Sequence, residues 1–275
     1  MIFKDFLPHP ALREEVAVYH LRHFIMHGGK QLPFKPYPPR PEQCLAFYPR
    51  GQETTMLVPD GKLIRQPGVM LMGQFTHRIN RHISEEFLMI LVVFKPGALH
   101  RLTGIPFTEL LNQTVDACVV IGNEACAVNE RLSNTGDYRE MIAIIDDFLL
   151  SLVRRKRHSS HPSDQVFDLM LTSNERFSID WLASQSCYSI RQFERKFQAA
   201  IGVSPRTFER IIRFNRSYQM RLQRPHWDWL RIAMECGYHD YQHLAKDYRE
   251  FANGSPNDFF REESKAPERV LGLNG

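Results

Sequence analysis

The sequence lacks the features of several large protein classes. Its five cysteines are odd in number, scattered, and form no CxxC pair. That usage argues against a disulfide framework or a zinc site and fits a reducing cytosol. The longest apolar run, Phe87–Phe94, is far shorter than a bilayer requires, and the first residues lack the basic start and apolar core of a signal peptide. These absences predict a cytoplasmic protein with no membrane partner.

Motifs for catalysis and cofactor binding are also missing. The chain has no GxSxG nucleophile motif and no GxxxxGK[ST] phosphate loop. The best metal candidate is the cluster of His77, His82, Glu85 and Glu86. It lacks an HxH pair, and two histidines five residues apart point to opposite faces of a strand. We therefore expect surface positions for this cluster, and no catalytic residue, metal or cofactor.

Length and charge distribution predict two domains. A chain of 275 residues has room for two domains of ordinary size. Residues 154–275 carry 20 Lys and Arg against 15 Asp and Glu, whereas residues 1–153 carry 15 against 16. Excess positive charge in one half favours a polyanionic partner for that half. We expect an N-terminal domain over 1–153, a linker over 154–163, a helical domain over 164–264 and a tail over 265–275.

The first hundred residues read as strands and loops. Five prolines between Gln31 and Pro41 are incompatible with a helix and poor for a central strand. The strand-length runs are Cys44–Tyr48, Thr54–Val58, Val69–Met72 and Phe87–Phe94. The last of these is almost entirely apolar, which predicts a central strand buried on both faces. Many short strands separated by turns indicate a barrel or a sandwich.

Helical spacing follows the strands, over Phe107–Asn112, Glu124–Leu132 and Tyr138–Val153. In the last segment six apolar residues fall on one stripe, namely Met141, Ile144, Ile145, Phe148, Leu149 and Leu152. This stripe packs against the β domain or forms a dimer interface, and the two alternatives can coexist.

A repeat in the C-terminal third is the strongest signal in the sequence. The paired positions are Leu182-Ala183 with Ile232-Ala233 at an offset of 50, then Phe193 with Leu244, Phe197 with Tyr248, Ser204-Pro205 with Ser255-Pro256 and Phe208 with Phe259 at an offset of 51. The extra residue falls in a turn, because inside a helix it would rotate the apolar face. Ser178 and Ser189 are expected N-caps, Gly202 ends a helix, and a long basic helix runs from Pro205 to about Gln223.

Each copy of the repeat reads as a helix, a tight turn and a second helix, which is a helix-turn-helix unit. The second helix of such a unit enters the major groove of DNA. A connecting helix of about 18 residues is about 27 Å long. That length suits two units that address adjacent major grooves about 34 Å apart. The sequence therefore predicts a double-stranded DNA partner.

The order L-A…S-x-x-x-F-x-R-x-F…G-x-S-P, followed by I-A…C-G-Y…S-P, resembles the DNA-binding domain of the AraC/XylS regulators. The resemblance covers roughly Asp164–Arg261. It implies a seven-helix domain, sequence-specific promoter binding, an RNA polymerase partner and control of transcription initiation, often activation. Asn253 stands where the family prefers Gly, but Asn tolerates the left-handed conformation. Leu244 replaces a usual aromatic residue.

The N-terminal half is similar to the regulatory domains of the same family. That similarity implies a cupin-like β-barrel followed by helices that often dimerise, and hence an α+β two-domain fold. LPHPAL near the start, Gly73–Phe75 and Phe94–Pro106 are similar to an N-terminal domain of many uncharacterised members, over about Phe6–Leu111. The resemblance implies a small-molecule effector without naming it.

The exposed faces of the two second helices supply the candidate DNA contacts. The first offers Arg191, Gln192, Glu194 and Arg195, and the second offers Tyr241, Gln242, Ala245 and Lys246. Arg suits guanine, Gln suits adenine, Glu suits the cytosine amino group, and Ala can touch a thymine methyl. The resemblance places the positions of Arg191, Glu194 and Arg195 at base edges or nearby phosphates.

We assign Ser189, Arg213 and Arg249 to the DNA backbone. The alternative for each candidate is an ordinary polar surface residue, and Glu194 can instead pair with Arg191 or Arg195 along the helix. We expect the first unit to dominate base recognition and the second to grip phosphate.

Three functions are open at this point. The first is a transcription factor that responds to a small-molecule effector. The second is a DNA-binding regulator whose N-terminal domain only dimerises, and the third is a cupin-type enzyme with a DNA-binding tail. The operator, the effector and the sign of regulation are not encoded in any motif that we find.

Overall fold

A computed structural model describes residues 2–25, 34–58, 60–155, 161–173 and 175–270. The N-terminal domain contains two antiparallel sheets, and the C-terminal domain is helical. The strands are β1 Ile2–Phe6, β2 Val16–Ile25, β3 Lys35–Tyr37, β4 Gln43–Arg50, β5 Glu53–Leu57, β6 Leu63–Arg65, β7 Val69–Met72, β8 Ile79–Ile83, β9 Glu86–Phe94 and β10 Thr114–Asp116. This layout confirms the α+β two-domain prediction.

The two sheets are separate rather than closed into one barrel. One has the order β1-β2-β9-β4-β7-β10 and the other β3-β8-β5-β6. The short proline-rich strand β3 lies at an edge, where the missing proline N–H costs no ladder hydrogen bond. The barrel expectation is corrected to two layered sheets.

Strand β9 is the centre of the larger sheet, as its apolar sequence predicts. It pairs with β2 and β4, which places Ile90 opposite Leu21 and Phe47. Its side chains alternate between two cores: Leu88, Ile90, Val92 and Phe94 enter one, and Phe87, Met89, Leu91 and Val93 enter the other. Helices cover the first core and the smaller sheet contributes to the second, so both faces of β9 are buried.

Helices of the N-terminal domain follow β9. They are α1 Ala98–Thr103, a 3₁₀ turn at Phe107–Leu110, α2 Ala117–Val120, α3 Asn123–Ser133 and α4 Tyr138–Arg154. The segment expected as a helix over Phe107–Asn112 is thus shorter and 3₁₀. The apolar stripe of α4 is buried in the first core, where Phe148 meets the ring of Phe47. The packing alternative for this stripe is confirmed, and dimerisation stays a prediction.

Cys118 and Cys126 form a disulfide between α2 and α3, with Cα atoms 5.7 Å apart. The expectation that the cysteines argue against disulfides is wrong for this pair. Their spacing resembles no redox motif, and only the turn between two short helices brings them together. Cys44, Cys187 and Cys236 are free thiols.

In the described residues, the C-terminal domain contains the seven helices that the resemblance implies, and one more. They are α5 Pro162–Thr172, α6 Ile179–Gln185, α7 Ile190–Ile201, α8 Pro205–Gln223, α9 Trp229–Glu235, α10 Tyr241–Ala252, α11 Pro256–Glu263 and α12 Pro267–Val270. The expected linker is largely outside the described residues, which omit 156–160. Pro162 already begins α5, whose capping box joins His161 and Asp164.

Short polar side chains begin the helices of the repeat. Ser178, Ser189, Ser204, Asp228, Asp240 and Ser255 each accept a hydrogen bond from a backbone N–H of the following helix. Such caps satisfy donors that have no partner inside the helix. Gly202 and Asn253 both adopt the left-handed conformation at the ends of α7 and α10. The expected caps and the tolerance for Asn253 are therefore confirmed.

The two domains pack directly on each other. Gln43 donates to the carbonyl of Ala200 at 2.7 Å, and Arg101 pairs with Asp164 at 3.0 Å. A Cβ at Gly202 would lie 2.9 Å from the carbonyl oxygen of Phe107, so this contact needs glycine. The segment expected as a tail also joins the interface, where Glu268 is buried and pairs with Lys35. None of the helices in the described ranges has the length and apolar character that crossing a bilayer requires.

Candidate nucleic-acid interface

The first helix-turn-helix unit consists of α6 and α7. Leu182 and Ala183 pack with Phe193 and Phe197 in one core. Ser189 caps α7: its hydroxyl accepts from the N–H of Gln192 at 3.3 Å, and the Gln192 side-chain oxygen accepts from the N–H of Ser189 at 3.1 Å. This reciprocal pair is a capping box. It occupies the carbonyl of Gln192, which leaves the amide NH₂ of that side chain to meet DNA.

The solvent face of α7 carries the other predicted residues. Arg191, Glu194 and Arg195 are all exposed. In the described part of the chain, no ion pair joins Glu194 to either arginine, so the face is unpaired and polar. Ile190, the first residue of α7, is 41% exposed. It precedes the first core position Phe193 by three residues and lies at the rim of this face.

The second unit consists of α9 and α10, and its face differs from the expectation. Gln242, Lys246 and Arg249 are exposed, and Tyr241 is half-buried against the core of the unit. Ala245 is only 2% exposed, so the expectation that it lies on the exposed face is wrong. A single methyl group beside buried Leu244 is covered by its neighbours. Because alanine occurs at both buried and exposed helix positions, the pattern of polar and apolar residues did not reveal this burial.

His243 was missed as a surface candidate on α10. Its side chain is 61% exposed and lies 3.0 Å from the carboxylate of Asp240, the N-cap residue. The backbone N–H of His243 also donates to that carboxylate at 2.9 Å. This hydrogen bond, opposed by slight desolvation, holds the pKa of Asp240 below its ordinary value. The offset of 51 pairs His243 with Gln192, which is the signal that identifies it.

Many arginines of α8 bind protein groups rather than facing solvent. Arg210 pairs with Asp247 at 2.8 Å and with Glu250 at 2.6 Å. Arg216 donates to the carbonyls of Leu171 and Ser173. These arginines therefore hold α5 and α10 against α8. Only the remaining basic side chains of α8 are available to a polyanion.

Arg213, a predicted backbone contact, lies 3.6 Å from Asp247 and is 20% exposed. Its guanidinium stacks over the ring of Tyr238, 4.5 Å from the centroid. The assignment of Arg213 to DNA stays a prediction, since the side chain also lines the groove described next.

A groove of about 580 Å³ separates the start of α8 from α10. Its lining comprises the basic residues Arg176, Arg206, Arg210, Arg213 and Lys246, the imidazole of His243 and the acids Glu209, Asp247 and Glu250. Arg206 and Lys246 are exposed. Arg210 pairs with Asp247 and Glu250, and Arg176 lies 3.8 Å from Glu209, so much of the positive charge of the groove is already matched by acids.

A second concavity lies between the two domains. It has a volume of about 600 Å³ and receives side chains from both sheets, from α8 and from α12. The wall from the DNA-binding domain consists of Tyr218, Gln219, Leu222, Pro267, Glu268 and Arg269. Sequence reasoning missed this interdomain cavity, because its residues are distributed over the whole chain and share no motif.

The metal candidates are not assembled into a centre. His77 lies beside the ring of Phe75, and His82 beside that of Phe34. Burial lowers the pKa of His77. Within the described ranges, no three His, Cys, Asp or Glu side chains are placed to hold a metal ion.

Comparisons with known proteins agree with this geometry. Residues 182–262 match a family described as a helix-turn-helix domain. Residues 4–116 match a domain of unknown function, DUF6597, over nearly the range for which the sequence resembles N-terminal domains of uncharacterised regulators.

Among curated proteins, the HTH-type transcriptional regulator ArgR of Pseudomonas aeruginosa is 29% identical over 108 residues. The match covers 38% of this chain and spans only 32% of the length of that relative.

Among solved structures, an AraC-type transcriptional regulator from Chromobacterium violaceum is 28% identical, with coverage of 37% of this chain and 89% of that chain and a TM-score of 0.33. ToxT of Vibrio cholerae is 12% identical, with coverage of 89% and 97% and a TM-score of 0.46.

Two capped units on one long helix, the internal repeat that encodes them and the family match over residues 182–262 lead to the same assignment. The C-terminal part of the chain, over residues 182–262, is a helix-turn-helix domain of the AraC type.

Proposed function

We propose that this regulator binds a specific operator through both recognition helices and changes its affinity when a small molecule occupies the interdomain cavity. On this proposal the N-terminal domain binds its ligand and does not transform it. The bound complex then controls initiation by RNA polymerase.

The observation that carries the proposal is the contact of the N-terminal domain with the ends of both recognition helices. Gln43 of β4 donates to the carbonyl of Ala200 at the end of α7 at 2.7 Å. Arg78 donates to the carbonyl of Ala252 at the end of α10 at 3.4 Å and pairs with Glu262 of α11. A shift of the sheets therefore acts on the placement of both units.

The cavity lies where such a shift would begin. Phe24, Phe87 and Leu91 line it from the larger sheet, and Tyr218 and Leu222 line it from α8. Helix α8 also joins the two units along the chain. A ligand that binds one arrangement of these walls more tightly than another shifts the population of DNA-competent molecules.

The alternative in which the N-terminal domain only dimerises lacks a comparable observation. The strongest apolar stripe of that domain, on α4, is buried in its own core. A cavity of this volume, in contrast, falls in the range of small-molecule sites, about 300 to 1,000 Å³.

The test begins with selection of the operator from a random duplex pool and a thermal-shift screen of metabolites on the full chain. Each stabilising compound is then titrated while operator affinity is measured. We expect a change of about 5-fold to 150-fold, the usual range of coupling between sites. Ligands that bind the protein without altering operator affinity would refute the effector role.

The coupling route has its own test. Gln43→Ala and Arg78→Ala remove the contacts to α7 and α10 separately, and Arg65→Ala at an exposed position on β6 is the matched control. We expect each of the first two variants to reduce the effect of the ligand on DNA binding, and the control to retain it in full.

A further inference from the structure

The interdomain cavity contains one ion pair that is left open. Arg40 and Glu42 approach to 3.9 Å, beyond hydrogen-bond distance, and their side chains are 21% and 22% exposed. Among the described residues, the guanidinium of Arg40 makes no hydrogen bond. Its Nε and the Oε2 of Glu42 are both buried and have no hydrogen-bond partner in the part of the chain that the structure describes. Buried polar groups are almost always satisfied, so these two call for a partner from outside.

The other ion pairs of the same cavity are closed. Arg22 lies 2.8 Å from Asp5, and Arg81 pairs with Glu53 through two hydrogen bonds. Lys35 is in direct contact with Glu268. Among these ion pairs of the cavity, Arg40 and Glu42 are therefore the pair that is left open.

Tyr37 adds a third group to this pole of the cavity. It is 6% exposed, lines the cavity, and its hydroxyl has no hydrogen-bond partner among the described residues. The guanidinium of Arg40 lies 4.7 Å from its ring centroid. Burial raises the pKa of Tyr37, so the hydroxyl stays protonated and can donate.

The remaining lining combines charged side chains, most of which are already paired, with a set of apolar side chains. The larger sheet supplies Phe24, Phe87, Met89 and Leu91, and α8 supplies Leu222. Because the other ion pairs are closed, a ligand with polar groups at one end and an apolar body at the other can reach the open pair and cover these apolar side chains. At the polar end, Arg40 and Tyr37 offer donors and Glu42 offers an acceptor.

We propose that the cavity binds a small carboxylate that has an amino or hydroxyl group on the neighbouring carbon and an apolar side chain, with the carboxylate on Arg40 and the amino or hydroxyl donor on Glu42. Such a molecule bridges the open pair and places its side chain among the aromatic and aliphatic walls. This inference rests on the proposed role of the cavity as the effector site.

The net charge of the cavity lining distinguishes between the two candidate ligands, a hydroxy acid and an amino acid. It carries six Lys and Arg, namely Lys4, Arg22, Lys35, Arg40, Arg81 and Arg269, against the four acids Asp5, Glu42, Glu53 and Glu268. The excess of positive charge favours a hydroxy acid, which is a net anion, over an amino acid, which is net neutral.

The test uses four probes that share one apolar body, titrated calorimetrically into the full chain without DNA. Indole-3-lactate and tryptophan have both polar groups, indole-3-propanoate lacks the donor, and tryptophanamide lacks the carboxylate. We expect at least one of the first pair to bind about tenfold or more tightly than the last two, as loss of a charge-assisted hydrogen bond implies. Equal affinities for all four, or no binding by either complete probe, overturn the proposal.

Variants of Arg40 and Glu42 then test which side chain binds the carboxylate and which binds the hydroxyl or amino group. Arg40→Gln is expected to weaken the carboxylate probes by about 10-fold to 100-fold. Glu42→Leu removes the acceptor and is expected to abolish the preference for indole-3-lactate over indole-3-propanoate, and Arg65→Leu serves as the control. Unchanged affinities in both cavity variants would contradict the assignment. The probe ranking on the unaltered protein stands even where a variant fails to fold.

Failure of this inference and failure of the proposed function are distinguishable. If the complete probes bind but leave operator affinity unchanged, the ligand class stands and the effector role falls. If another class of compound binds and changes operator affinity, the effector role stands and the ligand class falls.

Discussion

Arg210 of the long helix α8 donates to Asp247 of the second recognition helix at 2.8 Å, and Asp247 is almost fully buried. The hydroxyl of Tyr238 donates to the same carboxylate at 3.1 Å. One acidic side chain therefore fixes how α10 is presented relative to the helix that joins both units. Removal of the Asp247 carboxylate would leave the Tyr238 hydroxyl and the Arg210 guanidinium without this partner, which lowers the free energy of unfolding.

We predict that Asp247→Ala destabilises the protein by about 1 to 3 kcal/mol, less than a fully buried pair because Arg210 is partly exposed. Urea denaturation measures the loss. Glu250→Ala removes the exposed end of the same network and is the matched control, expected to cost less than about 1 kcal/mol. Equal losses in the two variants would show that Asp247 has no special role.

The contact between α12 and the N-terminal domain should weaken in acid. Burial opposes ionisation of Glu268, but attraction and a hydrogen bond from Lys35 outweigh it, so the pKa of Glu268 lies below its ordinary value of 4.5. A carboxyl with a lowered folded-state pKa contributes stability that is complete above its ordinary pKa and is lost as the pH falls through the folded value. We expect the difference in unfolding free energy between the wild type and Glu268→Gln to shrink below about pH 4.5. A difference that is constant from pH 7 to pH 3 contradicts this.

Base recognition should depend on one exposed residue from each unit. We predict that Arg191→Ala and Gln242→Ala each cost about 1 to 3 kcal/mol on the operator and relax the preference at one base pair. Binding to a panel of single-base operator variants measures both effects. Arg261→Ala, at an exposed position on α11, is the control. Unchanged affinity and unchanged preference in both variants would refute these assignments.

Lys246 should act on phosphate rather than on bases. We predict that Lys246→Ala weakens binding to all sequences about equally and lowers the slope of log affinity against log salt by about 0.9, the effect of one lost phosphate contact. Affinities between low and moderate salt give the slope, with Lys265→Ala as the control. A loss confined to particular operator variants, with no change in slope, would make Lys246 a base-reading residue instead.

Much of the helical domain follows from local sequence signals. Ser189, Ser204 and Ser255 cap helices as expected because a short oxygen-bearing side chain before an apolar run satisfies the free N–H groups. The internal repeat located both units because a turn tolerates the inserted residue and a helix does not. The central strand β9 was also evident, since burial on both faces explains its run of eight consecutive apolar residues.

The errors concern relationships between distant residues. Ala245 was placed on the surface because helical spacing alone does not show that neighbours cover a methyl group. The disulfide of Cys118 and Cys126 depends on the angle between two short helices, which no spacing rule specifies. The cavity pair of Arg40 and Glu42 lies in a proline-rich segment where sequence indicates only a break in regular structure.

The structure gives a further reason to expect that the two helix-turn-helix units contribute unequally to base recognition. The first presents Arg191, Glu194 and Arg195 on an exposed face. Burial of Ala245 leaves Gln242, His243 and Lys246 on the second, two of which suit phosphate better than bases. We therefore expect stronger base preference in the part of the operator that the first unit contacts.

Selection of bound sequences from a random duplex pool by the full chain tests the central claim most directly. Two helix-turn-helix units on one face of DNA predict an enriched site with two conserved segments whose centres lie about 10 to 10.5 base pairs apart, with the stronger preference in one of them. An absence of enriched sequence, or a single conserved segment that is unaffected by Gln242→Ala, would contradict the account.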